Sequence, residues 1–283
     1  MKPRKFLLIT VSVLVIALII LYAWTSGLFS QLYLATATEV LLAKHGDALV
    51  QIRFNLTDHM NQVYIPGGEF TMGENTKFSG FKAHKVYLDP YWIDQVDVTN
   101  SMYASCVRSG SCSHPARYDN YFEDPNYADY PVVYVTWYAA QAFCKWEGGG
   151  LPTEAQWEKA ARGLDGRPYP WGTGTPADSL LNYNDDHGDI VSAYDYLTGI
   201  SPYGLLQMSG NVRQWVSDWY QRNYYSISPY RNPQGPAGGQ EKSLRGGGFD
   251  DSAQEVETYY RAYHWPTSAG QDRGFRCAFD AEK

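Results

Sequence analysis

Charged residues are scarce in this chain, and those present give no basic excess. Lys, Arg, Asp and Glu make up 19% of the 283 residues, and the formal net charge is -7. A protein that binds nucleic acid needs a clustered positive surface, so no nucleic acid is expected as a partner. Aromatic residues reach 16%, unlike the composition of disordered chains. The composition predicts an ordered domain with few regular exposed helices.

Cysteine is also scarce, and no two cysteines have the spacing of zinc ligands. The four cysteines, Cys106, Cys112, Cys144 and Cys277, allow three pairings. Cys106 and Cys112 flank a short turn, which favours a local bridge. Cys144 and Cys277 would then close a long loop, the kind of cross-link that removes most entropy from the unfolded chain. The sequence also lacks a fixed-period repeat and heptads.

The longest apolar run lies near the N-terminus. Three basic residues within residues 1–5 precede an uncharged run over residues 6–24, FLLITVSVLVIALIILYAW. A membrane span needs about 20 apolar residues, whereas a cleaved signal peptide has an apolar core of about 7–15. Basic residues before a span place residues 1–5 in the cytoplasm and the rest in the periplasm or outside the cell. We predict a transmembrane signal anchor at 6–24, with cleavage near residues 35–37 as the alternative.

The residues after the anchor divide into two segments. Apolar residues recur at roughly helical spacing between Leu32 and Asn55, so we predict a helical stalk over residues 25–61. From Gln62 onward the pattern becomes that of a folded domain, which we place at residues 62–283.

Short strands are predicted at three places in this domain. The sequence QVYIPGGEFTMG from Gln62 predicts two strands joined by a Pro-Gly-Gly turn. Apolar and polar residues alternate between His84 and Asn100, which predicts one half-buried strand. A third, fully apolar strand is predicted at Val132 to Val135.

Helices are predicted where a capping residue precedes an apolar pattern. The second predicted helix runs from Trp137 to Trp146, and the third begins with a capping box in which Gln156 follows its N-cap by three residues. The predicted N-cap residues of the three helices are Thr99 or Asn100, Thr136 and Thr153. Few helices, short strands and long turn-rich connections predict an α+β fold with low regular content.

Eight motifs in one order resemble the formylglycine-generating enzyme family, also called sulfatase-modifying factor domains. They are VYIPGGEFTMG, IDQVDVTN, PVVYVTWYAAQAFCKW, LPTEAQWEKAARG, YPWG, GNVRQWVSDWY, LRGGGF and GFRCA. The resemblance covers Gln62 to Asp280. It implies a variant of the C-type lectin fold, and it implies that Cys144 and Cys277 pair.

The resemblance also implies where a catalytic site would lie. Active members oxidise a substrate cysteine to formylglycine with two cysteines that hold copper, just after the glycine-rich motif. The matching stretch here, Phe249 to Arg261, has no cysteine, and Asp251 stands about where the first should be. Because Cu(I) prefers thiolate ligands, we expect neither copper nor formylglycine-generating activity.

The family also binds structural calcium, and the loop from Leu181 to Thr198 resembles its first site. Hard cations prefer several oxygen ligands, such as side-chain oxygens and backbone carbonyls. The first site implied by the resemblance consists of Asn182, Tyr183, Asp189 and Val191. A second site implied by the resemblance consists of Gln207, Gly210, Val212 and Gln214, in which glutamines replace the usual acidic or Asn residues. These glutamines could bond neighbouring backbone and keep the loop without an ion.

The leading functional hypothesis is a catalytically silent, membrane-anchored accessory subunit. Its partners would be other membrane-protein subunits, met through the anchor and stalk, and a respiratory or photosynthetic electron-transfer complex is one candidate. A second hypothesis is a metal-dependent oxidoreductase of altered chemistry, which would use Asp250, Asp251, Glu255 or His264 in the former catalytic groove.

A third hypothesis is a lectin-like domain that binds a glycan or a peptide. Aromatic rings stack on sugars and peptides, although most aromatic residues of a domain lie in its core. The candidate binding residues are Trp219, Tyr259, Tyr260 and Trp265.

Overall fold

The computed structural model describes residues 51–75, 82–117 and 121–281. The predicted cytoplasmic residues 1–5, the predicted anchor at 6–24 and most of the predicted stalk therefore lie outside the described residues. None of the helices in these ranges could span a bilayer.

Short strands and long connections dominate the domain, which confirms the predicted α+β fold of low regular content. Two four-stranded sheets and one two-stranded hairpin account for the strands of the described residues. The strands are β1 (Ile52–Phe54), β2 (Asn61–Ile65), β3 (Gly68–Met72), β4 (His84–Leu88), β5 (Tyr91–Asp94), β6 (Arg213–Trp219), β7 (Lys242–Arg245), β8 (Ala262–His264), β9 (Arg273–Gly274) and β10 (Ala278–Asp280). The first sheet has the order β1-β2-β5-β10, the hairpin pairs β3 with β4, and the second sheet has the order β8-β7-β6-β9.

The first sheet begins earlier in the chain than predicted. β1 lies inside the segment predicted to be a helical stalk, and it pairs antiparallel with β2, with Ile52 opposite Val63. A strand as short as β1 depends on hydrogen bonds to its neighbour, and the apolar pattern of a short segment does not show whether such a neighbour exists. The domain therefore includes residues before Gln62, and the described end of the predicted stalk is not helical.

Two strand predictions in the middle of the chain need correction. The segment from His84 to Asn100 forms two strands, because Pro90 has no N–H for a ladder and the chain changes sheets there. Residues 132–135 form no strand. Val132 N donates to Val98 O at 2.9 Å, whereas Tyr134 N donates to Gly270 O at 2.9 Å, so this buried run contacts two different segments instead of one partner strand.

Three α-helices begin at predicted N-caps. They are α1 (Asn100–Arg108), α2 (Trp137–Trp146) and α3 (Glu154–Arg162). The hydroxyl of Thr99 accepts from Met102 N, and that of Thr136 accepts from Ala139 N. Thr153 forms the predicted capping box with Gln156. An N-cap side chain accepts from backbone N–H groups of the first helical turn. Because both partners lie within a few residues of each other, the start of a helix can be predicted from the local sequence.

Helix α3 packs its apolar face into the main core. Trp157 is fully buried, and its indole Nε1 donates to Gln214 Oε1 of β6 at 2.7 Å. Val216 of β6 and Ile65 of β2 belong to the same cluster, so α3 packs between elements of both sheets. Burying these apolar side chains is the main favourable contribution to folding.

Helix α3 also carries charge into the interior. Arg245 of β7 lies between two glutamates of α3, with Nη1 at 2.9 Å from Glu154 Oε1 and Nη2 at 2.8 Å from Glu158 Oε2. Arg261 donates to Glu154 and Arg162 donates to Glu158, also within the interior. The side chains of all five residues are at most 1% exposed. We call this group the interior ion network.

All four cysteines form disulfides. Cys106 pairs with Cys112, and Cys144 pairs with Cys277. The second bridge links α2 to the segment that leads into β10, and both of its cysteines are fully buried.

Removal of the two disulfides is expected to have unequal effects on stability. The Cys144–Cys277 bridge spans 133 residues of sequence and the Cys106–Cys112 bridge spans 6. Loop-closure entropy predicts a loss in the free energy of unfolding of about 5 kcal/mol for Cys144→Ala/Cys277→Ala, against about 2 kcal/mol for Cys106→Ala/Cys112→Ala. Urea denaturation of both double variants measures the difference. Equal losses would show that strain or packing, and not loop length, decides the effect.

Candidate functional site

The glycine-rich motif places the chain in a sharp turn after β7. Gly246 and Gly247 have φ values of 90° and 71°, in the left-handed region that glycine tolerates best. A Cβ atom on Gly247 would lie 2.7 Å from Val256 Cγ1, so the turn also packs too tightly for a side chain. Gly248 N donates to Asp251 Oδ2 at 2.8 Å. The turn thus fixes Asp251 beside the start of β6.

An arginine of β6 lies among the acidic residues that follow this turn. The guanidinium of Arg213 forms short ion pairs with Asp251 and Asp272, and Nη2 lies 3.5 Å from Asp250 Oδ1. The Arg213 side chain is 19% exposed and that of Asp251 is 7% exposed. We call Arg213, Asp250, Asp251 and Asp272 the groove ion cluster.

The charges in this cluster depend on one another. Burial raises the pKa of Asp251 above its usual range, and the positive charge of Arg213 limits that rise. Burial acts to lower the pKa of Arg213, but the neighbouring carboxylates, Asp251 first, more than offset it and leave the pKa raised. The guanidinium therefore remains charged and occupies the position between the carboxylates.

The other two groove candidates, Glu255 and His264, interact electrostatically with Arg213, but their hydrogen bonds go to other residues. Glu255 accepts from the Ser252 hydroxyl at 2.7 Å and from its N–H at 3.1 Å. His264 lies in β8, and its Nδ1 accepts from Trp265 N at 2.9 Å. Burial lowers the pKa of His264, which favours the neutral ring. In the described part of the chain, none of the four candidates belongs to a close group of three His, Cys, Asp or Glu ligands.

Arg213 and Asp272 were not predicted as site residues. Arg213 is a charged residue directly after Val212 in a motif that otherwise continues into the buried residues of β6. Asp272 is 21 residues beyond Asp251 in an irregular segment, and only the fold brings the two together.

The residues of the first calcium site lie in one loop, and one oxygen there lacks a partner. Asn182 is 1% exposed, and its Oδ1 is buried without a hydrogen-bond donor. The Asp189 carboxylate accepts from Tyr121 and Gln271, and Val191 O accepts from Asn211 Nδ2 at 3.1 Å. Asp189 Oδ1 also accepts from Ile190 N at 2.7 Å, so Asp189 Oδ2 and Val191 O are the acceptors that retain an unused lone pair. The oxygen-rich ligand set and the orphaned Asn182 oxygen fit a hard cation.

The second calcium site does not fit an ion. Gln214 Oε1 accepts from Trp157 Nε1 at 2.7 Å and from the guanidinium of Arg276 at 2.8 Å, so both of its lone pairs are used. Gln214 Nε2 donates to Gln207 O at 2.9 Å, and Gln207 Nε2 donates to Ser192 O at 2.6 Å. The glutamines bond neighbouring backbone, and the buried Arg276 supplies positive charge where an ion would lie.

The aromatic candidates occupy different environments. Trp219 contacts the ammonium group of Lys242, whose Nζ lies 4.0 Å from the ring centroid. Tyr259 is only 7% exposed and Tyr260 is half-buried. Trp265 is 52% exposed and is the one residue of this set whose ring is largely open to solvent.

Loss of the Arg213 charge is expected to destabilise the domain more at high pH than at low pH. In Arg213→Met, Asp251 loses its counter-charge, so its folded-state pKa, which burial already raises, rises further above its unfolded value. Stability present at low pH, where Asp251 can hold a proton, is then lost as pH rises through that folded pKa. We expect a loss of about 3 kcal/mol in the free energy of unfolding at pH 8, and a clearly smaller loss at pH 4.5.

Arg231→Met is the matched control, because Arg231 pairs with Asp89 at the surface, with side chains 63% and 48% exposed. An exposed pair contributes about 0–1 kcal/mol. Denaturation of both variants at the two pH values tests the expectation. A loss in Arg213→Met that does not change with pH would contradict the proposed role of the charge.

Comparisons with known proteins agree on one family. Residues 51–281 match the family described as sulfatase-modifying factor enzyme 1-like domain. The formylglycine-generating enzyme of Streptomyces coelicolor is 32% identical and covers 78% of this chain and 90% of its own length. The inactive C-alpha-formylglycine-generating enzyme 2 of Mus musculus is 29% identical, over 77% of this chain and 85% of its own length.

A solved structure agrees on the fold. PvdO from Pseudomonas aeruginosa superimposes with a TM-score of 0.68 at 20% identity, covering 83% of this chain and all of its own. The predicted family resemblance is thereby confirmed. This chain belongs to the sulfatase-modifying factor family, whose domain occupies residues 51–281.

Proposed function

We propose that this chain is a catalytically silent accessory subunit that is anchored in a membrane and binds other membrane-protein subunits outside the cytoplasm. The observation that carries the proposal is the groove ion cluster. Asp250 and Asp251 lie in the stretch in which the family resemblance implies a copper site, and Arg213 pairs with both of them.

The chemistry of this cluster opposes copper binding. Asp251, which stands where the first family cysteine is expected, offers a hard carboxylate oxygen instead of a thiolate. The Arg213 guanidinium beside it would repel a second cation. All four cysteines are in disulfides, and Cys144, Cys277 and Cys106 are fully buried. No thiol is therefore available to hold copper or to attack a substrate.

The membrane setting of the proposal comes from the sequence. The apolar run at 6–24 would anchor the chain, and the segment after it would meet partner subunits. Two disulfides support an oxidising compartment such as the periplasm or the extracellular space, because cytosolic thiols are kept reduced. The relative named as inactive supports the proposal, because its name indicates that the family fold can exist without the enzyme activity.

The two alternatives receive unequal support. A metal-dependent oxidoreductase would need Asp250 and Asp251 as ligands, yet both already pair with Arg213. A glycan or peptide binder receives support from the exposed ring of Trp265, although Tyr259 is too buried to stack on a ligand. We retain the second alternative as the one that experiment must separate from the accessory role.

Calcium is part of the same proposal, as a structural ion at the first site. Asn182 and Asp189 would supply side-chain oxygens, and Tyr183 and Val191 would supply backbone carbonyls. The ion would order the loop beside the groove, and it has no role in chemistry. The unpartnered buried oxygen of Asn182 supports its presence.

Purification of the tagged full-length chain from its own membrane in mild detergent is expected to recover a fixed set of partner subunits. A matched variant, in which an unrelated span of equal length replaces residues 6–24, is expected to recover fewer of them, because contacts through the anchor are lost. Mass spectrometry of both samples measures the difference. The same wild-type sample, supplied with copper, is expected to leave a cysteine-containing peptide unchanged where the Streptomyces coelicolor enzyme forms formylglycine.

Two results would contradict the accessory role. One is formylglycine formation above the level of a reaction without protein. The other is a chain that purifies alone and binds a glycan, with binding lost in Trp265→Ala and retained in Tyr138→Ala, whose ring is exposed to a similar extent (53%).

The first calcium site has a separate test. After chelation and return of calcium, Asp189→Asn is expected to bind one calcium ion fewer than the wild-type chain, because the only carboxylate of the site is lost. Calorimetric titration gives the count. Equal counts in the two proteins would show that calcium does not bind at Asp189.

A further inference from the structure

A cavity of about 360 Å³ opens where the segment that follows α2 meets β10. Residues of α2, α3, β6, β10 and two connecting segments line it, and none of these residues belongs to the groove ion cluster. The volume falls within the range of about 300–1,000 Å³ that is usual for small-molecule sites. The cavity is therefore large enough for a small ligand.

Three consecutive glycines after α2 shape this cavity. Gly149 packs against β10, and a Cβ atom on it would lie 2.5 Å from Ala278 O. A Cβ atom on Gly150 would meet only Gln141 Nε2, at 3.7 Å, and the backbone of Gly150 lies outside the left-handed region. Gly150 could therefore carry a side chain without backbone strain. Because Gly150 and Gln141 both line the cavity, such a side chain would occupy it.

The amide groups of three glutamines face the cavity with unused hydrogen-bonding atoms. Within the described part of the chain, the amide of Gln141 forms no hydrogen bond, so its C=O and its NH2 both lack a protein partner. Gln156 accepts from Thr153 N at 2.8 Å through Oε1, which leaves its NH2 group. Gln234 donates to Asn232 O at 3.1 Å, which leaves its C=O group. The cavity thus offers both donors and acceptors.

The lining carries little charge. Among the described residues that line the cavity, Asp280, an exposed residue at the end of β10, is the one with a charged side chain. A phosphate or carboxylate ligand would find no basic partner there and would be repelled by Asp280. Amides recognise a ligand through hydrogen bonds, so the lining favours an uncharged ligand that has several donors and acceptors.

The backbone of β10 does not favour an extended peptide as this ligand. A peptide that adds to a sheet needs unpaired N–H and C=O groups along the edge strand. Ala278 N donates to Gly150 O at 2.8 Å and Ala278 O accepts from Gly150 N at 2.9 Å, so the edge is already paired at the cavity. A sugar ring needs no strand edge, because each of its hydroxyls can donate and accept. Its C–H groups can contact the ring of Phe279, which lines the cavity.

We propose that this cavity binds an uncharged sugar ring. The Gln141 amide would bond two neighbouring hydroxyls, and the free groups of Gln156 and Gln234 would bond others. Gly150 keeps the space open, and Asp280 disfavours acidic sugars. Trp265 does not line this cavity, so the site is distinct from the exposed aromatic candidate, and it does not rest on the accessory role.

The test titrates the full-length chain, in a detergent without a sugar headgroup, with four neutral probes. They are methyl α-glucoside, methyl α-galactoside, methyl α-mannoside and N-acetylglucosamine. We expect calorimetry to show at least one of them binding with a Kd of about 1 mM or lower. The uronic acid of the sugar that binds best, in which a carboxylate replaces CH2OH, is expected to bind about tenfold more weakly because of Asp280.

Two variants locate the binding. Gly150→Val should abolish it, because the side chain fills the cavity. Gln141→Leu removes a donor and an acceptor at similar size, and it should weaken binding about tenfold. Gly238→Val is the matched control and should bind as the wild type, because Gly238 does not line the cavity, has no left-handed φ, and a Cβ atom there would meet nothing within 4 Å. Equal Tm values show that the variants are folded.

Three results would overturn the proposal. One is the absence of binding by all four probes, and another is binding that Gly150→Val and Gln141→Leu leave unchanged. The third is binding that is lost in Trp265→Ala and kept in Gly150→Val, which would place the sugar at the exposed indole instead. None of these results bears on the partner subunits recovered from the membrane, so the accessory role stands or fails separately.

Discussion

The pairing of Arg245 with Glu154 and Glu158 is the interaction on which the rest of the domain depends. It fixes α3 to β7, and the strand's next residue is the first glycine of the turn that leads to the groove. The attraction between buried ions offsets the free-energy cost of their desolvation only when the pair geometry is good and nearly all of their hydrogen bonds are made. Here Arg261 and Arg162 add further donors, and Thr258 O accepts from Arg245. The network leaves little freedom in the relative placement of α3, β7 and the segment that carries Asp251.

An arginine lies at two places where the family resemblance implies a metal ion. Arg213 lies between carboxylates in the groove where the family resemblance implies copper, and Arg276 bonds Gln214 where it implies a second calcium ion. A guanidinium is always charged and presents donors in a fixed plane, so it can hold several acceptors without solvent. At both places a guanidinium supplies the positive charge that a metal ion would supply in the family site.

Local signals in the sequence predicted local structure well. The caps Thr99, Thr136 and Thr153 were legible because a hydroxyl and a backbone N–H three residues later settle them. The sequence did not show that the apolar run at 132–135 is a buried irregular segment, because its hydrogen-bond partners lie in distant parts of the chain. The groove ion cluster was only partly predictable for the same reason. Asp250 and Asp251 were visible in the sequence, but Asp272 was not, and the arginine that pairs with them lies in β6, 38 residues before Asp251. The predicted calcium site also involves residues that are distant in sequence. Gln271 and Tyr121 donate hydrogen bonds to the Asp189 carboxylate, and so they fix the orientation of this predicted ligand.

The first sheet has a mechanical consequence. Its two outer strands are β1, the first strand of the described chain, and β10, the last. Strands lie about 4.8 Å apart, so the two ends of the domain are separated by only about 15 Å across the sheet. Tension that reached β1 from the preceding segment would pull on one three-residue ladder first, while β10 is held by the adjacent Cys144–Cys277 bridge. The domain would yield at its entry strand and retain its exit strand, so a load would peel the first strand away before it disturbed the groove.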